Sequence, residues 1–214
     1  LFPREGEMVP KLRFEEFKET SQWKQKRLEE VITEFIVPMR DKPKQLNGMT
    51  PWCRIEDLEG IYLSKSKSKQ GVSDSIIKAM NLKVYPVGTL LVSCSADLGR
   101  CAITTAKLVT NQTFIGLFPN QDKLNTLFLY YIMSHSSDKL NAQSSGTTIS
   151  YLAREKFEKF EIIIPEPNEQ QKIADYLLSL DVLIQEQTAK IDAQKIHKKG
   201  LMQGLFPNIN EVNV

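Results

Sequence analysis

Residues 160–174 read Phe160-Glu161-Ile162-Ile163-Ile164-Pro165-Glu166-Pro167-Asn168-Glu169-Gln170-Gln171-Lys172-Ile173-Ala174, and the two halves of this stretch call for different structures. The run from Phe160 to Ile164 is apolar, rich in β-branched residues and closed by Pro165, which reads as a buried strand. Immediately after it, Asn168 offers an N-cap, and Gln171 stands three residues further on to complete a capping box. From Glu169 to about Gln203 there is no proline and a single glycine, Gly200. Ile173, Leu177, Leu180, Ile184 and Ile191 fall on alternating heptad core positions, with Gln187 and Gln194 at polar ones. Roughly 35 helical residues extend about 50 Å, more than a compact domain of this size needs. One reading packs this helix on its own domain. The favoured one makes it a spacer and assembly helix, whose apolar seam is covered by a second copy or by another part of a larger protein.

Upstream the pattern is mixed. Leu28, Val31, Ile32 and Phe35 repeat at i, i+3, i+4, i+7 and predict a short helix from Gln22 to Phe35, ended by Pro38. Extended segments are expected at Trp52 to Ile55 and Ile61 to Leu63. Ser73 is placed to cap a helix reaching Met80. Thr89 to Ser95, Cys101 to Thr105 and Thr113 to Phe118 read as strands punctuated by Pro86, Gly88 and Gly99. Leu124 to Ser134 reads as helix, with Leu127, Phe128, Tyr131 and Ile132 facing inward. The fold class is therefore α+β: a globular mixed domain followed by a long coiled-coil-type helix.

Composition narrows the chemistry. The chain has 214 residues, 41% hydrophobic and 25% charged, which suits one domain with an appendage and excludes wholesale disorder. No apolar run is long enough to cross a bilayer and no signal peptide is visible, so a soluble, cytoplasmic protein without membrane contact is expected. Cys53, Cys94 and Cys101 lack metal-ligand spacing and read as small buried hydrophobes. No two of the ten glycines are separated by one residue, or by the four of a P-loop, so neither phosphate-binding glycine motif is present. With only His135 and His197, a multi-histidine metal cluster is not expected. The Asx-Pro-Pro-aromatic tetrad with which adenine methyltransferases hold a flipped base is missing. Glu16-x-Lys18 is a nuclease-like fragment of a kind that arises by chance. No catalytic residues, cofactor or metal site are assigned.

Charge is unevenly spread. Net charge is +2, yet residues 61–110 carry Lys65, Lys67, Lys69, Lys78, Lys83, Arg100 and Lys107 against only Asp74 and Asp97. Ser64-Lys65-Ser66-Lys67-Ser68-Lys69-Gln70-Gly71 alternates lysine with serine, a composition suited to phosphates and equally to a solvated surface loop. Asn111-Gln112 and Ser144-Ser145-Gly146-Thr147-Thr148 add amides and hydroxyls that suit base edges or, just as well, ordinary turns.

Taken together, the motifs resemble the DNA-specificity subunit of type I restriction-modification systems. Val9-Pro10-Lys11-Leu12-Arg13-Phe14, with Phe17, Trp23 and Leu28, is similar to the family's lead-in to a target-recognition domain. Pro86-Val87-Gly88-Thr89-Leu90-Leu91-Val92-Ser93 is similar to its central strand and Asn111-Gln112-Thr113-Phe114 to the next signature. Ser145-Gly146-Thr147-Thr148, Ile162-Ile163-Ile164-Pro165-Glu166-Pro167 and Glu169-Gln170-Gln171-Lys172-Ile173-Ala174 resemble the exit into the family's conserved helix. Thr89 stands where many members carry Asp, Glu29 where Gly is common, and Arg100-Cys101 where a second Gly often falls.

The resemblance implies a linker over residues 1–9, a target-recognition domain over 10–165, a conserved spacer and assembly helix over 166–204, and a tail over 205–214. It implies a non-catalytic subunit that binds double-stranded DNA at a bipartite target. It directs a methyltransferase subunit, which uses S-adenosylmethionine at adenine N6, and indirectly a restriction subunit. Members usually carry two recognition domains and two antiparallel helices. This chain has one of each, and Leu1-Phe2-Pro3 matches Leu205-Phe206-Pro207 after the helix, which suggests a C-terminal half; Leu117-Phe118-Pro119 shows that the tripeptide also arises by chance. Candidate DNA contacts are Lys65, Lys67, Lys69, Arg100, Asn111, Gln112, Ser145, Thr147 and Thr148. Candidate helix-pairing residues are Ile173, Leu177, Leu180, Ile184 and Ile191, through which isolated copies would self-associate. The competing expectation is a coiled-coil scaffold or protein-interaction module without specific DNA binding.

Overall fold

The computed structural model describes residues 2–3, 7–38, 41–94, 98–143 and 154–205, in two compact units that divide between Ile173 and Ala174. The chain begins with β1 (Lys24–Arg27), one helical turn α1 (Leu28–Val31) and β2 (Ile32–Ile36). Then come β3 (Thr50–Cys53), β4 (Tyr62–Leu63), β5 (Gly71–Val72) and α2 (Asp74–Ala79). β6 (Leu90–Ser93), β7 (Cys101–Thr104), β8 (Val109–Thr110) and β9 (Phe114–Pro119) follow. Helices α3 (Thr126–His135), α4 (Ser137–Gln143) and α5 (Arg154–Glu158) lead to β10 (Glu161–Ile164) and the 39-residue α6 (Pro167–Leu205). The architecture is mixed α+β, with a long helix after a sheet-containing domain.

Among the described residues three sheets build the globular unit: five strands in the order β2-β9-β6-β7-β4, three in the order β5-β3-β8, and the pair β1-β10. All four residues of β6 are buried, as expected for a central strand covered on both faces. The period-2 alternation of β3 sends neighbouring side chains to different cores. Trp52 joins Val72, Leu82 and Val109, whereas Cys53 joins Ile36, Leu58, Tyr85, Leu91 and Phe114. Gly116 of β9 lies against the Tyr85 ring, where a Cβ would collide. Thr89 is fully buried and donates its hydroxyl to the Pro86 carbonyl at 2.8 Å, so a neutral side chain suits this position.

The helix expected from Gln22 to Phe35 is not there. Only Leu28–Val31 is helical, and the flanking residues are strands. The apolar spacing is real, since Leu28, Val31, Ile32 and Ile36 are buried, but it serves a corner between two sheets. Arg27 N–H donates to Glu30 Oε1 at 2.8 Å, which caps the single turn. Ile32 then returns to extended backbone, and β2 pairs with β9 while β1 pairs with β10. These β-branched and aromatic residues are better placed in sheets than in a helix.

Two further corrections are smaller. In α3 the buried face is Phe128, Leu129, Ile132 and Met133, one position round from the expected set, so Leu127 and Tyr131 are only half-buried. Asn168 is not the cap of α6. The helix starts two residues earlier than that cap implies, with Pro167 at the first position and the Glu166 carbonyl accepting from Glu169 and Gln170 N–H. Gln171 is used elsewhere, its Oε1 accepting from Asn125 Nδ2 at 2.7 Å. Among the described residues no helix is long and apolar enough to cross a membrane.

Candidate nucleic-acid interface

The lysine-serine segment is a built turn. The chain leaves β3 at Arg54 and makes one tight helical turn, Ile55–Asp57. Asp57 is 6% exposed, and its two oxygens accept from the Arg54 and Lys67 N–H groups, each at 2.7 Å. A buried carboxylate satisfied by backbone donors thus ties the turn to a loop ten residues ahead. Within that loop the Ser66 carbonyl accepts from Lys69 N–H at 3.1 Å, and Ser66 Oγ lies 2.9 Å from Ser68 Oγ. Lys69 takes the left-handed backbone, with φ 55°. Gln70 then accepts from Trp52 N–H through its carbonyl and from Arg54 Nη2 through Oε1. Gly71 closes the loop against Gly48, where a Cβ on either residue would strike the other strand's backbone. The Lys65, Lys67 and Lys69 side chains all project to solvent. Lys67 Nζ lies 2.6 Å from Glu59 Oε1.

Arg100 reaches the same turn, and the amide pair follows the strand next to β3. Arg100 Nη2 donates to the Leu58 carbonyl at 2.6 Å. β3 and β8 run parallel with Cys53 opposite Thr110, so the chain continues from paired positions into Arg54 and Asn111. Asn111 Oδ1 accepts from the Thr113 hydroxyl at 2.5 Å, which commits that oxygen to the local turn. Gln112 is exposed. Of the described candidates, Lys67 and Arg100 contact residues 57–59, Lys65 and Lys69 flank Lys67 in its loop, and Asn111 and Gln112 follow the end of β8, which pairs with β3. Ser145, Thr147 and Thr148 lie outside the described residues.

The sequence reading missed Arg54, Asp57 and Glu59. Asp57 stands three residues after Arg54, the spacing of a capping interaction, and that was the available signal. The acids matter to the electrostatics, because Arg54 Nη1 also lies 3.5 Å from Glu56 Oε1. The neighbouring thiols are poor nucleophiles. Burial, and secondarily the Asp57 carboxylate, push Cys53 up to about 12, and burial pushes Cys94 up to about 11. Among the described residues no group of three His, Cys, Asp or Glu side chains is placed to hold a metal ion.

The pairing candidates divide. Ile173 is 1% exposed and belongs to the core of the globular unit, so it is not available to a partner helix. Leu177 is half-buried, whereas Leu180, Ile184 and Ile191 are 37, 63 and 50% exposed.

A mixed α+β domain with a basic, hydroxyl- and amide-bearing rim, running into one long helix with exposed apolar positions, has the build of a recognition module joined to an assembly element. The chain belongs to the family described as type I restriction modification DNA specificity domain, whose model matches residues 20–194. It is 31% identical over 187 residues to the type I restriction enzyme MjaIX specificity subunit of Methanocaldococcus jannaschii, covering 82% of this chain and 43% of that protein. The EcoprrI specificity subunit of Escherichia coli is 26% identical over 129 residues, 59% of this chain and 32% of that protein. The chain spans less than half the length of these curated relatives. A chain from a type I R-M system, solved for complex assembly and conformational transition, superposes with a TM-score of 0.65 at 20% identity, over 95% of this chain and 46% of that one. The S subunit from M. genitalium gives 0.61 at 17% identity, over 93% and 49%. At these identities the structural likeness is one of fold.

Proposed function

We propose that this chain is a sequence-specific double-stranded DNA-binding module, acting as half of a type I specificity subunit and carrying no catalytic step itself. The globular unit reads one half of a bipartite target. Helix α6 sets the spacing to the other half and docks the methyltransferase subunit, through which the restriction subunit joins. The relatives' names support the role, and one observation carries the interface: Lys67 and Arg100 meet on the 57–59 turn, with Lys65 and Lys69 beside Lys67 in its exposed loop. Exposed Leu180, Ile184 and Ile191 support pairing of α6 with the helix of a second copy or of a missing half.

The test is selection from a randomised duplex pool, followed by salt titration of the enriched sequence. Changing Lys65, Lys67 and Lys69 together to alanine is expected to lower the slope of log affinity against log salt by about 2 to 3. An unchanged slope would remove the loop from the interface. No saturable duplex binding by the wild-type chain would favour a protein-interaction scaffold instead.

A further inference from the structure

We propose that Glu59 is a built-in competitor for the DNA phosphate at Lys67, and that Asp57 is the positioning residue that holds the two in register. This rests on the DNA-binding reading and adds a determinant of DNA affinity to it.

The backbones on both sides of the pair are fixed. Asp57 Oδ1 holds the Lys67 N–H at 2.7 Å. Arg100 Nη2 holds the carbonyl of Leu58, the residue before Glu59, at 2.6 Å. Gly60, the residue after it, takes φ 69°, a conformation suited to glycine. The Glu59 carboxylate is thus held against the Lys67 ammonium by anchored backbone. The side chains themselves are 45 and 77% exposed, so the pair is weak and exchangeable. A phosphate oxygen at Lys67 meets the same ammonium and is repelled by Glu59 until that carboxylate turns away.

The consequence falls on affinity. Any duplex that places a phosphate at Lys67 must displace Glu59, and that displacement is equally unfavourable with or without base contacts holding the duplex in register. Glu59 therefore lowers affinity for specific and non-specific duplexes alike.

The experiment uses the full chain with the selected duplex and an unrelated duplex of equal length. Glu59→Gln is expected to raise affinity for both duplexes by about twofold to fivefold, and to leave the salt slope where it is, since a bound phosphate at Lys67 is neutralised with or without Glu59. In a Lys67→Gln background Glu59→Gln should change neither affinity, because the competition has lost its object. Glu186→Gln, the same charge change on α6, should leave both unaltered. Asp57→Asn replaces one acceptor oxygen by an amide donor, and is expected to flatten the slope of a chain whose thermal unfolding shows it still folded.

An unchanged affinity in Glu59→Gln, an equal gain in Glu186→Gln, or persistence of the gain without Lys67 would each overturn the proposal while leaving the DNA reading intact. Absence of saturable binding by the wild-type chain to either duplex would overturn both.

Discussion

Glu169→Ala is expected to lower the unfolding free energy by about 1.5 to 3 kcal/mol, because the Arg13 guanidinium loses its carboxylate and is left with the Thr20 and Ser21 oxygens. Glu169 is 2% exposed and sits in the first turn of α6, within the globular unit. Arg13 donates to it through two nitrogens, Nε to Oε1 and Nη2 to Oε2, each at 2.7 Å, and Trp23 Nε1 adds a third bond at 3.2 Å. The hydrogen bonds to Glu169 raise Arg13 above its ordinary value, and a guanidinium keeps its proton at neutral pH even without them. The adjacent Gln170 is equally committed, accepting from Asn125 N–H and donating to the Lys123 and Pro165 carbonyls, each at 2.9 Å. Urea unfolding should show a lower midpoint at unchanged m, and the melting temperature should fall by roughly 10 °C. Glu169→Gln keeps volume and one acceptor and should cost less. A loss below about 1 kcal/mol for the alanine variant would mean that water reaches the pair and screens it.

Replacing Leu180, Ile184 and Ile191 together by serine is expected to weaken self-association by about a thousandfold or more, since burying each such side chain contributes about 1.5 to 3 kcal/mol. Light-scattering mass at micromolar concentration measures it: the wild-type chain should sit at the dimer mass and the variant at the monomer mass, with the helical signal retained. A wild-type monomer under those conditions would defeat the pairing reading. Ile173→Ser should behave differently. At 1% exposure that side chain belongs to the globular core, so its loss lowers stability before it touches association.

The parts of this fold that could be read directly were those whose determinants are local. Ser73 caps α2, its Oγ accepting from Ile76 N–H, and Pro165 ends the strand before α6 as its position implies. The misread elements depend on distant partners. Leu28 to Ile36 carries a helical period, yet its strands are decided by Ile162, Ile164, Leu117 and Phe118, which no window around residue 30 contains. Gln171 looked like a capping partner for Asn168 because both lie in one turn, whereas Asn125 takes it from 46 residues away. At the site the split is similar. Lys65, Lys67 and Lys69 announce themselves by composition. Asp57 and Glu59 are single acids whose importance comes only from where the chain returns to them.

The pairing of Lys24–Arg27 with Glu161–Ile164 also sets an order of events in synthesis. β1 leaves the ribosome well before its partner, which is encoded some 137 residues later. Closure of so long a loop is slow, and β1 waits unpaired meanwhile. Its four residues, Lys24-Gln25-Lys26-Arg27, carry three positive charges and no large apolar side chain, so an edge exposed for that interval repels its own kind on crowded ribosomes instead of recruiting it.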